Sequence, residues 1–162
     1  HMVDIATMGA AVGALLKERG QTVAVAESSS GGLICAALLA VPGASAYFKG
    51  GGTVYTGAAK QLLMDLSDVA MSAERAATET HARHLADAAR TRLDADWGIG
   101  ETGAAGPSGN RYGDPPGHTC IGVSGPVCRT GTVETGQDER VDNMAAFAAA
   151  ALALLQTCVE KA

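Results

Sequence analysis

The chain reads as an α/β sandwich, with helices packed around a mixed sheet, and three observations carry that reading. Short apolar runs rich in β-branched residues alternate with helical stretches, the pattern of helices laid between strands. Two late strand-like runs, His118 to Ser124 and Cys128 to Thr135, follow one another across Gly125-Pro126 as a hairpin, the antiparallel part of the sheet. Aromatic residues make up only 4% of the chain while Ala and Gly are prominent, and small residues let helices approach a sheet closely.

In chain order, Asp4 is placed to cap a first helix running to about Arg19, closed by Gly20. Ile5, Met8, Val12, Leu15 and Leu16 share one of its faces. A strand over Thr22 to Ala26 and a helix from Gly31 to Leu39 follow, and Val41-Pro42-Gly43 breaks that helix. Lys49-Gly50-Gly51-Gly52 leads into an expected strand, Thr53-Val54-Tyr55-Thr56, and then a short helix carrying Ala58 to Leu63. A long helix is expected from Ser72 through Leu93, with His81 and His84 on a solvated face. Trp97 to Gly100 reads as a short buried strand running into a glycine-rich loop from Glu101 to Gly117. An Ala-rich helix from about Asp142 to Glu160 ends the chain. No repeat or linker interrupts this order, so residues 3–162 are expected to form one domain, His1-Met2 reading as the remnant of an expression tag.

The net charge of −5, from 17 acids and 12 bases with no basic run, argues against a nucleic-acid surface. No signal peptide is expected. The Ala-rich run from Met144 to Leu155 falls short of the roughly 20 residues a membrane span needs, so a cytoplasmic protein without a membrane partner is expected. Cys35, Cys120, Cys128 and Cys158 lie far apart in apolar surroundings and form no CxxC pair, so neither a disulfide framework nor a zinc site is expected, and Cys120 and Cys128, in adjacent strand-like runs, read as buried thiols. An Ala-rich face on the last helix leaves a homodimer open, and burial against the sheet accounts for that face equally well.

Chemistry is expected where two polar loops follow strands, because ligands of open α/β sheets sit beyond the carboxyl ends of strands. The first loop is Glu27-Ser28-Ser29-Ser30-Gly31-Gly32, a strand-to-helix turn with three hydroxyls and a carboxylate. Its helix start offers unpaired N–H groups and the positive end of a dipole to an anion or oxyanion. The same serines also suit plain helix capping by Ser29 or Ser30. The second loop places Gly103, Gly106 and Gly109 three apart, which is not a dinucleotide fingerprint, and its amides suit an anion nest. A serine nucleophile needs a base, and no Ser-His-Asp order is convincing. Lys60 is the best-placed lysine by topology, although spacing alone favours a solvated helix lysine.

These segments, with Val41-Pro42-Gly43-Ala44-Ser45-Ala46-Tyr47-Phe48, Val54-Tyr55-Thr56 to Ala59-Lys60, and Thr102-Gly103-Ala104-Ala105-Gly106-Pro107, together resemble the CinA C-terminal domain family. The resemblance covers essentially the whole chain. It implies a three-layer α/β/α sandwich with a mixed, mostly parallel sheet. Members include nicotinamide-nucleotide amidases, so it also implies hydrolysis of the carboxamide of nicotinamide mononucleotide by a Ser/Lys mechanism that needs no metal or cofactor. Position by position, the nucleophile falls on Ser28 and the lysine on Lys60, with Tyr55 able to hydrogen-bond in the site. The family's usual cysteine is Ser29 here and its usual threonine is Ser30. Implied substrate-binding positions are Glu27, Ser29, Ser30 and Gly31 on the first loop, with backbone N–H groups near Ser29 to Gly31 holding the oxyanion. On the second loop they are Thr102, Gly103, Ala105, Gly106, Gly109 and Arg111, around phosphate or ribose.

The chain departs from the family pattern at Glu101, where an apolar residue is usual, and at Asp114, where a lysine is usual. It departs again at Gln137 to Asn143, where the bases that open the last helix are largely replaced. Negative charge near a phosphate site disfavours the phosphate, and Arg111 is the expected compensation. Two classes therefore stand side by side: a Ser/Lys amidase for nicotinamide mononucleotide or a less anionic amide, and a non-catalytic domain binding a nucleotide or small ligand.

Overall fold

A computed structural model describes residues 4–162; His1 and Met2 lie outside the described residues. The elements are α1 (Ile5–Met8), α2 (Ala10–Arg19), β1 (Val23–Glu27), α3 (Leu33–Leu39), β2 (Phe48–Thr53), α4 (Gly57–Met64), α5 (Asp68–Ala73), α6 (Glu79–Arg92), β3 (Trp97–Ala104), β4 (His118–Ser124), β5 (Arg129–Glu134) and α7 (Arg140–Lys161). They build one five-stranded sheet in the order β2-β1-β3-β4-β5. β1 pairs in parallel with both β2 and β3, while β4 is antiparallel to β3 and to β5. Only β4 therefore runs against the other strands, and the expected mixed, mostly parallel sandwich holds.

The hydrophobic pattern explains the layers. Buried residues of α2, α3 and α7 (Val12, Leu16, Ile34, Leu38, Leu152, Leu155) cluster with Val23, Val25, Ile99, Ile121 and Val123 on one face of the sheet. A second, smaller cluster joins Ala24 and Ala26 of β1 to Met64, Leu66, Leu85 and Ala89 on the other face, under α4 and α6. Alternation along β1 sends its small alanines toward α6 and its valines toward α7, a period of two in which both faces are buried. Close approach is the reason for glycine at Gly100, where a Cβ would collide with the Ala82 carbonyl of α6.

Four boundaries differ from expectation. The first helix is broken at Gly9, whose backbone packs against the Ala37 carbonyl with no room for a Cβ, and Asp4 makes no side-chain cap. β2 occupies Phe48–Thr53 and not Thr53 to Thr56, because its three glycines carry no side-chain alternation for a sequence reading to detect. The expected Ser72–Leu93 helix is two helices. Glu74 is extended, and Thr78 starts α6 by accepting from the His81 N–H at 3.2 Å. β3 continues through Ala104, so Glu101 to Ala104 belong to the sheet, paired with Ile121, Cys120, Thr119 and His118.

At 22 residues, α7 has the length and apolar composition of a membrane-crossing helix, beyond the shorter run expected. Its inner face, including Phe147, Ala151, Leu152 and Leu155, is packed into the core. The cysteines are free. Cys120 and Cys158 are buried, Cys35 is half-buried, and Cys128 is exposed, contrary to the buried thiol expected there.

Candidate functional site

The parallel register that sets Ala26 beside Gly100 makes Glu27 and Glu101 the next residues of β1 and β3. Both side chains are fully buried, Glu27 at the carboxyl end of β1 and Glu101 within β3. Glu27 turns to the start of α3, accepting from the backbone N–H groups of Gly32 (2.9 Å), Ile34 (3.2 Å) and Cys35 (2.9 Å) and from the Ser30 hydroxyl (2.6 Å). The N-cap residue is Gly32, and no serine side chain caps the helix. The capping expected of Ser29 or Ser30 is therefore done by an upstream carboxylate, which satisfies orphan donors and sits at the positive end of the helix dipole. Burial, with Glu27 beside it, pushes the Cys35 thiol well above its ordinary pKa.

Glu101 closes the other side of the turn. Its Oε1 accepts from Ser28 N–H (3.0 Å) and Ser30 N–H (2.9 Å) and lies 2.8 Å from the Ser30 hydroxyl. Its Oε2 accepts from the hydroxyls of Ser29 and Thr119, the latter at 2.6 Å. Gly31 N–H donates to the Ser28 carbonyl at 3.0 Å. The donors expected to hold an oxyanion at Ser30 and Gly31 are thus already engaged, because a buried N–H is strongly driven to find a partner inside the fold. Among the described residues the Ser29 N–H has no hydrogen-bond partner.

Ser28 is 7% exposed and Lys60 is 5% exposed, so Lys60 is not the solvated helix lysine that spacing favours. It lies on α4, and among the described residues its amine makes neither an ion pair nor a hydrogen bond. Burial lowers its pKa, with the charge of Glu101 pulling partly the other way. The Ser28 hydroxyl and the Lys60 amine are not directly hydrogen-bonded.

His81 lies near Lys60 and corrects the expectation of a solvated histidine face: it is 1% exposed, and neither ring nitrogen has a partner. Burial, with the charges of Lys60 and His84 adding to it, pushes its pKa down to about 4. An unpaired buried polar ring costs stability. Replacing His81 by leucine is therefore expected to raise the melting midpoint by about 2–4 °C, read by thermal unfolding.

The start of α7 gathers the second loop to the first. Gly31 sits against Met144, and the Asn143 amide donates to the carbonyls of Ala105 (2.7 Å) and Gln137 (3.1 Å). Arg140 donates to the Gly106 carbonyl and, at 3.4 Å, to the Tyr55 hydroxyl. Tyr55 itself is 61% exposed, its ring free to meet a ligand. A groove of about 390 Å³ lined by Pro115, Pro116, Gly136, Gln137 and Asp138 adjoins Gly106, whose Cα packs against Asp138 and Pro116. The structure thus brings Ser28, Ser29, Ser30, Gly31, Tyr55, Lys60, Ala105 and Gly106 to one end of the sheet.

The other expected positions make the following contacts within the fold. Thr102 is buried and its hydroxyl accepts from Ala77 N–H at 3.0 Å, while Gly103 lies flat against His118 and Thr119. Gly109 backs onto the Asp114 carbonyl. Arg111 stacks over Tyr112 with its guanidinium carbon 4.9 Å from the ring centroid, and none of its recorded contacts reaches the serine turn.

Asp114 is also not the free charge expected beside a phosphate. Arg75 pairs with it at 2.9 Å, Asn110 donates to it at 2.8 Å, and these bonds hold its carboxyl below the usual range. His118 stands behind it, 7% exposed, with Nδ1 2.9 Å from Glu134 and Nε2 2.9 Å from the Ala77 carbonyl. Burial opposes charge on this ring, but the Ala77 carbonyl, Glu134 and Asp114 outweigh it and the pKa is raised. A raised folded pKa stabilises fully below the unfolded histidine value of about 6.5, and that stabilisation is lost as pH rises through the folded value. Thermal unfolding across pH 6 to 8, roughly the range of histidine titration, should show the midpoint of the parent falling more steeply than that of His118→Gln.

Arg140, Asn143 and Thr119 were not picked out from the sequence. The first two announce themselves only as polar residues opening an otherwise apolar helix. Among the described residues, no three of His, Cys, Asp and Glu group to hold a metal.

The profile of the CinA C-terminal domain matches residues 5–159. A CinA-like protein of Synechococcus sp. (strain CC9902) is 43% identical over 122 residues, which is 75% of this chain and 29% of that protein. One of Desulforapulum autotrophicum is 36% identical over 151 residues, 93% of this chain and 36% of that protein. The chain therefore spans about a third of the length of these relatives. A CinA superfamily protein of Escherichia coli superposes with a TM-score of 0.84 at 28% identity, covering 97% of this chain and 94% of that one. Another, from Klebsiella pneumoniae, has the same fold with a TM-score of 0.91 at 23% identity, covering 98% and 99%. With residues 5–159 matched by that profile and relatives 36–43% identical over most of its length, the chain belongs to the CinA C-terminal domain family.

Proposed function

We propose that this domain is a Ser/Lys amidase acting on a small carboxamide, with nicotinamide mononucleotide as the first substrate to test. The observation that carries this reading is Lys60: a buried amine, without ion pair or hydrogen bond, whose pKa burial lowers, beside a strand-to-helix turn bearing Ser28. A neutral lysine is a competent base, and burial of the side chain disfavours its charged form. In the proposed reaction Lys60 takes the Ser28 proton as the Ser28 oxygen bonds to the carboxamide carbon. The developing oxyanion meets the Ser29 N–H, the backbone donor directly after the nucleophile. Collapse breaks the C–N bond, and ammonia leaves with the proton carried by Lys60. Water then cleaves the acyl-enzyme to the carboxylate and frees Ser28. In this reading Tyr55 and Arg140, joined by a hydrogen bond of 3.4 Å, meet the ribose or phosphate in place of Arg111.

A second reading, a small-ligand-binding domain without turnover, is favoured by Glu101, whose carboxylate engages donors that an amidase would turn to substrate. Ammonia release from nicotinamide mononucleotide by the purified protein separates the two. Turnover supports the amidase. Binding without turnover, in folded protein, supports the second reading, and neither would send both back to a different ligand.

A further inference from the structure

We propose that Glu101 is a built-in anion that occupies the nest of the serine turn and positions Ser28, and that removing its carboxylate opens a binding site for a small monocarboxylate. Two backbone N–H groups, from Ser28 and Ser30, converge on one carboxylate oxygen at 3.0 and 2.9 Å, and the hydroxyls of Ser29 and Thr119 converge on the other. Successive N–H groups aimed at one point are an anion-binding arrangement, and here the anion is supplied by the neighbouring strand. Glu101 is fully buried and has no ion pair among the described residues. Its charge acts on Lys60, and the Glu27 carboxylate shares the Ser30 hydroxyl with it. Charge-assisted bonds to a carboxylate are the stronger kind, so the pair of backbone bonds flanking Ser29 holds the turn in one shape. With its two neighbours held, the Ser29 N–H is the donor left over, the one assigned above to the oxyanion. Glu101 touches the Ser28 backbone and not its hydroxyl, so its role is positioning.

The experiment has two arms. In the first, Glu101→Ala is expected to melt about 5–10 °C below the parent. Sodium formate should restore about half of that loss, while sodium chloride at the same ionic strength does not, and the parent should respond to both salts alike. An equal response of the variant to formate and chloride, or a parent-like midpoint, overturns the proposal. This arm does not depend on the amidase reading, so it stands if that reading fails. The second arm rests on that reading and uses Glu101→Gln, which keeps the shape of the side chain should the alanine variant not fold. Its kcat for nicotinamide mononucleotide is expected to fall about tenfold with KM within about twofold. Unchanged kcat, or a change confined to KM, contradicts positioning. Rescue without turnover in the parent would leave Glu101 as the filler of the nest and remove only the catalysis.

Discussion

Ser28→Ala is expected to lower ammonia release from nicotinamide mononucleotide by about 10⁴-fold or more, and Lys60→Ala by a comparable factor. The double variant should be little worse than either single one, because a nucleophile and its base act as a unit. Ser28 is held on a turn pinned from two sides, so its alanine variant should retain the fold and bind substrate with little change in KM. The pH dependence carries the same signature. Burial lowers the Lys60 pKa, so kcat/KM should rise with pH along a limb lying below the ordinary lysine range of about 10.4. In Lys60→Arg that limb should vanish with the activity, since guanidinium stays charged. A Ser28→Ala protein with full turnover would end the nucleophile assignment.

Glu27→Ala is the largest stability effect expected. The side chain is fully buried and accepts three backbone N–H groups at the start of α3 together with the Ser30 hydroxyl. Truncation strands buried donors and removes the negative charge from the helix N-terminus. The cost is about 3 kcal/mol, or about 6–12 °C in melting midpoint for a chain of this size. Glu27→Gln, which keeps one acceptor oxygen, should recover part of it. A shift under about 2 °C for the alanine variant would mean that water takes over the donors.

The contrast between the two carboxylates explains how much of the site was legible. Glu27 was picked out because it directly precedes the serines, and its place at the end of an apolar run leaves it few directions to face. Glu101 was legible only as a departure from the family pattern, and as a charge set against a phosphate. What it does depends on a register between strands 73 residues apart in sequence, which no local pattern encodes. The same holds for Lys60 and His81. Helical spacing places each on α4 or α6, and only the packing of α6 against β1 and β3, and of α4 against α6, buries them.

The sequence by itself determined the layered α/β class, the hairpin and the serine turn, because apolar periodicity, turn chemistry and short motifs are local properties of the chain. It did not place β2, whose glycines leave no periodic trace, or the break before α6. Tertiary structure decided which donors of the turn stay free, which charges are paired and which bases are buried. Arg75 neutralises Asp114 across 39 residues, and Arg140 reaches Tyr55 across 85. Such pairings are set by burial and strand order, since the energy of a charge or a donor depends on what the fold brings beside it.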